Sequence, residues 1–319
     1  IKPVSTYAPA LDDGTINGAS VIDDYPMLLN GEVWPRNANW RYQGLTALHT
    51  AIAQSLNTCA VRTNLAYGVS NSYDFLVDKL GFENLTYTDS QQVGNMALGG
   101  FEKGVTTEEM SAAYAAFVNE GVYTKPRTFI RVEDANGNVV LENEAQSTVA
   151  MKNTTAAIIN HLLQEAALNG TGYEAQFSGM HIAGKTGSTN SNKDRYFVGY
   201  TPYYSCAVWA GYEHNQRIVA SGNPCSAVFR KVMSAIHEDL PNKDFFSCSG
   251  LTSVSVCADS GMLASENCAL DVRGSRVYTA LVAADNAPTA VCTMHTAPTY
   301  TVNMADSDGN VTTVTGSVL

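Results

Sequence analysis

Apolar residues recur at helical spacing over most of the first 240 positions and give way to strand-like runs only near positions 180–212. The clearest helical face carries Met110, Ala113, Tyr114 and Phe117, and it follows a capping box at 106–109. The first residues are expected to complete a helix before a turn at 12–14, and positions 17–42 are expected to be irregular. Further helices are predicted over 46–54, 58–67, 72–80, 106–120, 154–168 and 226–240.

Three short strands are predicted at about 179–187, 195–201 and 205–212, and a hairpin is predicted for 128–132 and 138–141 around Asn136-Gly137. The connections between the three strands are short, so these strands should be antiparallel neighbours. Helices followed by a meander and a last helix indicate an α+β fold with an antiparallel sheet flanked by helices.

The composition changes after Pro241, where a serine-rich stretch is followed by a tail rich in Thr, Val, Asp, Asn and Gly. We therefore predict one domain over residues 1–243 and a small cysteine-containing extension over residues 244–319. The extension is expected to be an appendage or linker without chemistry of its own.

The charge and hydropathy of the chain exclude several classes of partner. With 319 residues and 45% hydrophobic residues, the chain can bury a substantial core. Its net charge of −11 argues against nucleic acid and anionic membrane as partners. No apolar run is long enough to span a bilayer, so contact with a membrane is expected only through a segment upstream of Ile1.

The seven cysteines are concentrated near the end of the chain, with four of them after position 245. This pattern fits an oxidising, extracellular setting, and we predict a disulfide between Cys257 and Cys268, with Cys248 and Cys292 as competing partners. No Cys-x-x-Cys pair with a matching histidine motif is present, so the sequence predicts no metal site. The six histidines are expected to be ordinary polar residues.

The candidate chemistry lies in three short elements that follow each other along the chain. These are Lys2, the Ser55-Leu56-Asn57 element and the Lys185-Thr186-Gly187 element. A lysine supplies a point charge, hydroxyl groups can bind a carboxylate, and a glycine lets a substrate backbone approach closely. Each element alone is weak evidence, since a capping asparagine or a lysine at a turn is common.

A known signature that combines elements like the other two also has a nucleophilic serine three residues before a lysine, and only Lys2 leaves that position open. No other lysine in the chain has a serine three residues before it. We therefore expect the sequence to be a fragment that begins between the nucleophile and its lysine, and to be inactive alone.

The order and flanks of these elements resemble the transpeptidase domain of class A penicillin-binding proteins of Gram-positive type, over residues 1 to about 240. The stretches 96–105 and 208–212 are similar to a Leu-Gly-Gly loop and a sheet strand of that family, and 257–261 and 273–275 are similar to its C-terminal extensions. The resemblance implies that the first strands of the sheet also precede Ile1.

The resemblance implies a serine-type D,D-transpeptidase that forms and then resolves an acyl-enzyme. Lys2 would act as the base for the serine, and Ser55 would relay a proton to the leaving amine. Asn57 would hold the substrate amide and orient Lys2, and Lys185 would add positive charge and polarise Ser55. Cys59 is expected to be a packed residue and not a second nucleophile.

The resemblance assigns substrate binding to Thr186, Gly187 and Ser188. The hydroxyls of Thr186 and Ser188 would bind the terminal carboxylate, and the N–H of Ser188 would contribute to the oxyanion hole.

The partners implied by the resemblance are peptidoglycan stem peptides ending in D-Ala-D-Ala and β-lactam antibiotics, on the extracellular face of the bacterial membrane, with no cofactor. One alternative is a D,D-carboxypeptidase of the same fold, and a β-lactamase is disfavoured because no well-placed deacylating glutamate is evident. Another alternative is a non-catalytic module that senses β-lactams or binds the wall.

Overall fold

The computed structural model describes residues 1–29, 31–296 and 299–317, apart from the side chains of residues 190, 299, 300, 316 and 317. The segments Pro3–Tyr7 and Phe75–Lys79 are π-helical turns. The α-helices are α1 (Ala8–Asp12), α2 (Leu48–Ala53), α3 (Asn57–Tyr67), α4 (Val69–Asp74), α5 (Tyr87–Gln91), α6 (Val93–Leu98), α7 (Thr107–Val118), α8 (Asn153–Leu168), α9 (Pro224–Ile236) and α10 (Glu266–Ala269).

The strands pair as antiparallel ladders throughout the described residues. They are β1 (Val21–Asp24), β2 (Met27–Leu29), β3 (Glu32–Trp34), β4 (Gly44–Ala47), β5 (Val122–Thr124), β6 (Arg131–Glu133), β7 (Val139–Glu142), β8 (Ser147–Val149), β9 (Ala183–Ser188), β10 (Asp194–Tyr200), β11 (Ser205–Gly211), β12 (Leu251–Cys257), β13 (Val277–Ala283), β14 (Thr299–Ala305) and β15 (Val311–Ser317).

Helix α8 is the centre of the main domain. It packs against α2, α7 and β9, and most of its residues are buried because apolar side chains occur on nearly all of its faces. Its one buried amide, Asn160, accepts a hydrogen bond from Tyr200 Oη at 2.6 Å and donates to the Phe117 carbonyl at 2.9 Å. The buried polar group is thereby satisfied, and it ties α7 to the sheet.

The sheet that carries the Lys185 element has the order β11-β10-β9 within the described residues. Strand β9 pairs on one side with β10, with Val198 opposite Lys185 and Arg195 opposite Ser188. The three strands and their antiparallel arrangement are as predicted, and the α+β class is confirmed by the fold. Helix α9 covers β10 and β11 through Phe229 and Met233.

Two predictions near the start of the chain are wrong. Residues 17–42 are not irregular throughout, because β1 pairs with β4 and β2 pairs with β3. The helix predicted over 46–54 begins only at Leu48, since Thr46 and Ala47 belong to β4. Short strands of three or four residues carry too little periodicity to be recognised in a sequence.

Other elements lie closer to their predicted positions. The hairpin around Asn136-Gly137 is present as β6 and β7, and the helix predicted over 154–168 is α8. Helix α9 ends at Ile236 and not at 240. No described helix is long and apolar enough to cross a membrane.

The end of the chain forms ordered elements and is more than a linker. Strands β12 and β13 form one hairpin, and β14 and β15 form a second; residues 297, 298, 318 and 319 of the predicted tail lie outside the described residues. The first hairpin packs Val256, Ala280 and Val282 against Ala19 of the main domain. A side chain at Gly18 would collide with the carbonyl oxygen of Leu281, which explains the glycine at this contact.

The predicted disulfide between Cys257 and Cys268 is wrong in this structure, where all seven cysteines are free thiols. Their sulfurs do lie close together, but each shares its surroundings with a third sulfur, from Cys292, and with the ring of His295. A pairwise argument from spacing along the chain could not detect a cluster of four.

Candidate active site

The amine of Lys2 lies at the centre of a small polar cluster. It donates hydrogen bonds to Asn57 Oδ1 at 2.6 Å, to the Ser55 carbonyl at 2.8 Å and to Ser55 Oγ at 3.2 Å. Two of the three sequence elements therefore meet, although more than fifty residues separate them. A proton could pass directly between Lys2 and the hydroxyl of Ser55 at these distances.

The backbone at Ser55 is in a strained conformation that places its hydroxyl. Helix α2 ends at Ala53, and Ser55 then adopts a φ of 58°, which is uncommon for residues other than glycine. The chain immediately re-enters a helix, so that Asn57 is the first residue of α3. This break directs Ser55 Oγ and Asn57 Oδ1 towards the same amine, and strain of this kind is found most often at functional sites.

A buried polar network fixes the start of α3. Asn37 Oδ1 accepts the backbone N–H of Asn57 at 2.8 Å, and Asn37 Nδ2 donates to Asp24 Oδ1 at 2.7 Å. Asp24 also accepts the hydroxyl of Thr58 and the backbone N–H of Gln43. The first turn of α3 thus donates its free hydrogen bonds to a fixed carboxylate–amide pair.

The side-chain amide of Asn57 is held at both ends. Its oxygen accepts from Lys2, and its Nδ2 donates to the Arg36 carbonyl at 2.7 Å. The orientation of the amide is therefore set by its neighbours, and it presents an acceptor to Lys2.

The third element lies on the edge strand β9. The amine of Lys185 is buried and donates to Thr171 Oγ1 at 3.1 Å and to Thr186 Oγ1 at 3.3 Å. The hydroxyls of Thr171 and Thr186 are 2.7 Å apart, and the backbone N–H of Thr171 donates to the Ala53 carbonyl at 3.1 Å. Thr171 therefore connects the edge strand to the end of α2, two residues before Ser55.

An open cleft of about 700 Å³ runs along β9. Its polar lining includes Lys185, Thr186 and Ser188, and its apolar lining includes Phe101 and Trp209. Ser188 is exposed, and its hydroxyl accepts a hydrogen bond from Arg195 Nη1 at 3.1 Å. The cleft therefore offers polar groups and apolar surface along one strand edge.

Both lysines are held in surroundings that disfavour their charged forms. Burial lowers the pKa of Lys2 to about 7. Burial, and next the positive charge of Lys2, lower the pKa of Lys185 well below its usual value. Neither amine forms an ion pair with an Asp or Glu in the part of the chain that the structure describes.

Cys59 lies near Lys2 but is unsuited to attack a substrate. Its side chain is fully buried, and burial followed by the charge of Asp24 raises the pKa of its thiol to about 12. The reactive thiolate is therefore scarce at neutral pH.

Comparison with known proteins identifies the class to which this geometry belongs. The family described as the penicillin binding protein transpeptidase domain matches residues 1–234. The chain therefore belongs to the penicillin-binding protein transpeptidase family. A second family, described as the C-terminal domain of penicillin-binding protein 1A, matches residues 247–297.

Penicillin-binding protein 1A of Clostridium perfringens is 34% identical over 325 residues, an alignment that covers 97% of this chain and 38% of that protein. The chain thus spans well under half the length of this curated relative. Among solved structures, penicillin-binding protein 1A of Haemophilus influenzae has the same fold, with a TM-score of 0.75 at 22% identity over 92% of this chain and 48% of that one. PonA1 of Mycobacterium tuberculosis in complex with penicillin V gives a TM-score of 0.65 at 23% identity over 78% of this chain and 71% of that one.

Sequence reasoning located Lys2, Ser55, Asn57 and Lys185 but missed the residues that hold them. Asp24, Asn37 and Thr171 are supporting residues that no motif marks. The one general signal for Asp24 and Asn37 is that a polar residue at a buried strand position needs a hydrogen-bond partner.

Proposed function

We propose that this chain is the larger part of a peptidoglycan D,D-transpeptidase domain, which cross-links stem peptides ending in D-Ala-D-Ala. The observation that carries the proposal is the amine of Lys2, hydrogen-bonded to Ser55 Oγ and Asn57 Oδ1 with a pKa near 7. About half of such an amine is neutral at pH 7, so it can accept a proton there.

In the proposed first step, a serine three residues before Lys2 in the longer protein attacks the carbonyl between the two D-alanines. Its proton passes to Lys2 as the new C–O bond forms. Ser55 then relays a proton to the nitrogen of the terminal D-alanine as the C–N bond breaks. In the second step an amine of a neighbouring stem peptide attacks the ester carbonyl and gives a proton to the same base. The C–O bond to the serine then breaks, and the base returns the proton to the serine oxygen.

Among the residues that the structure describes, no carboxylate forms an ion pair with Lys185, which supports a role in binding an anion. A buried amine without an acidic partner gains stability when a carboxylate arrives. The terminal carboxylate of the substrate would lie beside the hydroxyls of Thr186 and Ser188, and Gly187 leaves space for its backbone. The N–H of Ser188 would donate to the oxyanion.

The proposal extends to the longer protein only by analogy with its relatives. We propose that residues 1–243 belong to the transpeptidase domain and residues 244–319 form an extension. We further propose that the protein acts on the outer side of the bacterial membrane and is acylated by β-lactams, since the PonA1 relative binds penicillin V.

A labelled penicillin tests the acyl-enzyme. The full-length protein should be labelled at the serine three residues before Lys2. The 319-residue chain alone should not be labelled. Labelling of the isolated chain at Ser55 or Cys59 would overturn the assignment. Muropeptide analysis with purified lipid-linked substrate then distinguishes the reactions, because a transpeptidase gives cross-linked dimers, whereas a D,D-carboxypeptidase gives only shortened stems.

A further inference from the structure

Four side chains of the extension converge on one point far along the chain from the active site. The sulfurs of Cys257, Cys268 and Cys292 and a ring nitrogen of His295 all lie within 4.8 Å of one another. The three cysteines are buried, and the ring of His295 is largely buried as well. They come from the end of β12, from α10 and from the segment after β13, so three separate pieces of chain meet here.

The distances between these atoms match a tetrahedral metal centre. His295 Nδ1 is 3.6 Å from the sulfur of Cys257 and 3.6 Å from the sulfur of Cys292. A zinc ion with bonds of about 2.3 Å to sulfur and about 2.0 Å to nitrogen separates those two atoms by roughly 3.5 Å in a tetrahedron. A disulfide would instead bring two sulfurs to about 2.05 Å and leave the third cysteine and the histidine without a role.

The groups around the sulfurs are suited to thiolates. The backbone N–H of Asp259 points at the sulfur of Cys257 at 3.4 Å, and the backbone N–H of Ser265 points at the sulfur of Cys268 at 3.4 Å. Donors in these positions stabilise negative charge on sulfur, as they do around bound metal ions.

The histidine is oriented by carboxylates on its other side. His295 Nε2 lies 3.1 Å from Asp259 Oδ2 and 3.2 Å from Asp271 Oδ2. A proton on Nε2 satisfies both carboxylates and leaves the lone pair of Nδ1 facing the sulfurs. A carboxylate–histidine pair of this kind is the usual support of a metal-binding imidazole.

Two arginines hold the carboxylates in turn. Arg276 Nη2 lies 2.6 Å from Asp259 Oδ1, and Arg273 Nε lies 2.8 Å from Asp271 Oδ1. The carboxylates are therefore fixed by partners other than the histidine, and the ring has little freedom to turn away from the sulfurs.

We propose that Cys257, Cys268, Cys292 and His295 bind one zinc ion that holds the extension together. Three thiols and one imidazole form a closed set of four ligands, which is typical of structural zinc and leaves no position for a substrate. Binding releases the three thiol protons to solvent and forms three Zn–S bonds and one Zn–N bond, with no change of oxidation state.

The extension needs such a link because its apolar core is small. Apart from the cysteines, the buried apolar residues in the described part of the extension are Val256, Ala280 and Val282, which pack on Ala19. Domains with so few buried side chains commonly depend on metals or disulfides. The sequence signal that could have revealed the site is the pair Cys292-x-x-His295, which follows two cysteines eleven positions apart.

Metal analysis of the full chain tests the proposal directly. The chain, purified under reducing conditions without chelator, should contain about one zinc ion, and Co²⁺ in its place should give the near-ultraviolet thiolate charge-transfer bands of a tetrahedral site. Cys268→Ser and His295→Ala should each lower the zinc content or affinity by at least tenfold. Cys248→Ser removes a thiol outside the cluster and should leave zinc bound.

A second measurement covers variants that fold poorly. Chelation of the unaltered chain should increase proteolysis within 245–296 and leave fragments covering 1–234 intact. Reduced, metal-free protein that resists zinc would overturn the proposal, as would a disulfide between two of the three cysteines in freshly isolated protein. Retention of zinc by both the Cys268→Ser and the His295→Ala variants would equally refute the ligand set.

Discussion

The active-site face and the C-terminal extension treat buried charge in opposite ways. At the active site, Lys2 and Lys185 are held by hydroxyls, amides and carbonyls and form no ion pair among the described residues. In the extension, Asp259 and Asp271 are bound to Arg273, Arg276 and His295. Each of these two carboxylates therefore has a cationic neighbour.

The difference helps to distinguish buried charges that take part in binding or catalysis from buried charges that only stabilise the fold. A desolvated amine without a counter-ion lowers the stability of the fold. Proteins keep such an amine where a substrate supplies the opposite charge or where the amine must transfer a proton. A neutralised cluster has no such demand and is suited to holding a shape. Four measurements can break or sharpen this contrast, and their expected effects decrease in order.

Replacing Lys2 should have the largest effect. In the full-length protein, Lys2→Ala removes the proposed base, and the rate of acylation by a labelled penicillin should fall by about 10²–10⁴-fold. The matched control is Lys79→Ala, which replaces an exposed lysine on a π-helical turn. This variant should be acylated at the normal rate. If Lys2→Ala keeps the normal rate with an intact fold, the amine is not the base.

Removing the hydroxyls of β9 should have the next largest effect. Thr186→Val and Ser188→Ala should each weaken acylation by carboxylate-bearing β-lactams, since a hydrogen bond to a charged group is worth about 1.5–3 kcal/mol, or roughly 10–150-fold. Esterifying the carboxylate of the same β-lactam should abolish most of the difference between variant and parent. An equal loss with the ester would mean that the hydroxyls do not bind the carboxylate.

Asp259→Asn probes the other side of the contrast. The variant removes the charge that orients His295, and zinc affinity should fall by about 10–100-fold, as expected for loss of a support to a metal ligand. Competition with a chromogenic chelator measures this affinity. Acylation in the full-length protein should change by less than about twofold, and a larger change would show that the two regions are coupled.

The pH dependence of acylation should show a change of about tenfold. Only neutral Lys2 can accept a proton, and its pKa lies near 7, so the rate should rise as pH increases through 7 and level off above it. Between pH 6 and pH 8 the neutral fraction grows by about tenfold. A rate that is flat over this range, or that rises only above pH 9, would contradict the lowered pKa of Lys2.

The parts of the candidate active site that can be predicted from sequence are those that depend on residue type and order. Lys2, Ser55 and Asn57 could be selected because their chemistry is rare in combination, and the strands around Lys185 had clear patterns. The sequence could not identify Asp24, Asn37 and Thr171, because the role of a supporting residue depends on its neighbours in the folded chain. The strands of residues 17–42 escaped notice because they are only three or four residues long and show no period.

The predictions for the C-terminal extension were incomplete for a different reason. Its cysteines were interpreted two at a time, as possible disulfides, and its histidine was treated as an isolated polar residue. The Cys292-x-x-His295 pair is the one local signal of a metal site, and its spacing from Cys257 and Cys268 follows no fixed rule. The folded chain is what shows that these four side chains share one point.

The contact of Gly18 with Leu281 ties the extension to the segment that follows α1. The segment around Gly18 and Ala19 follows directly from α1, whose helical run begins beside Lys2, and it lies beneath the hairpin of β12 and β13. We expect that a chain shortened after α9 would expose Ala19 to water and loosen the segment that follows α1. Engineers who seek a minimal β-lactam target for crystallisation or screening should therefore cut after the extension and not before it.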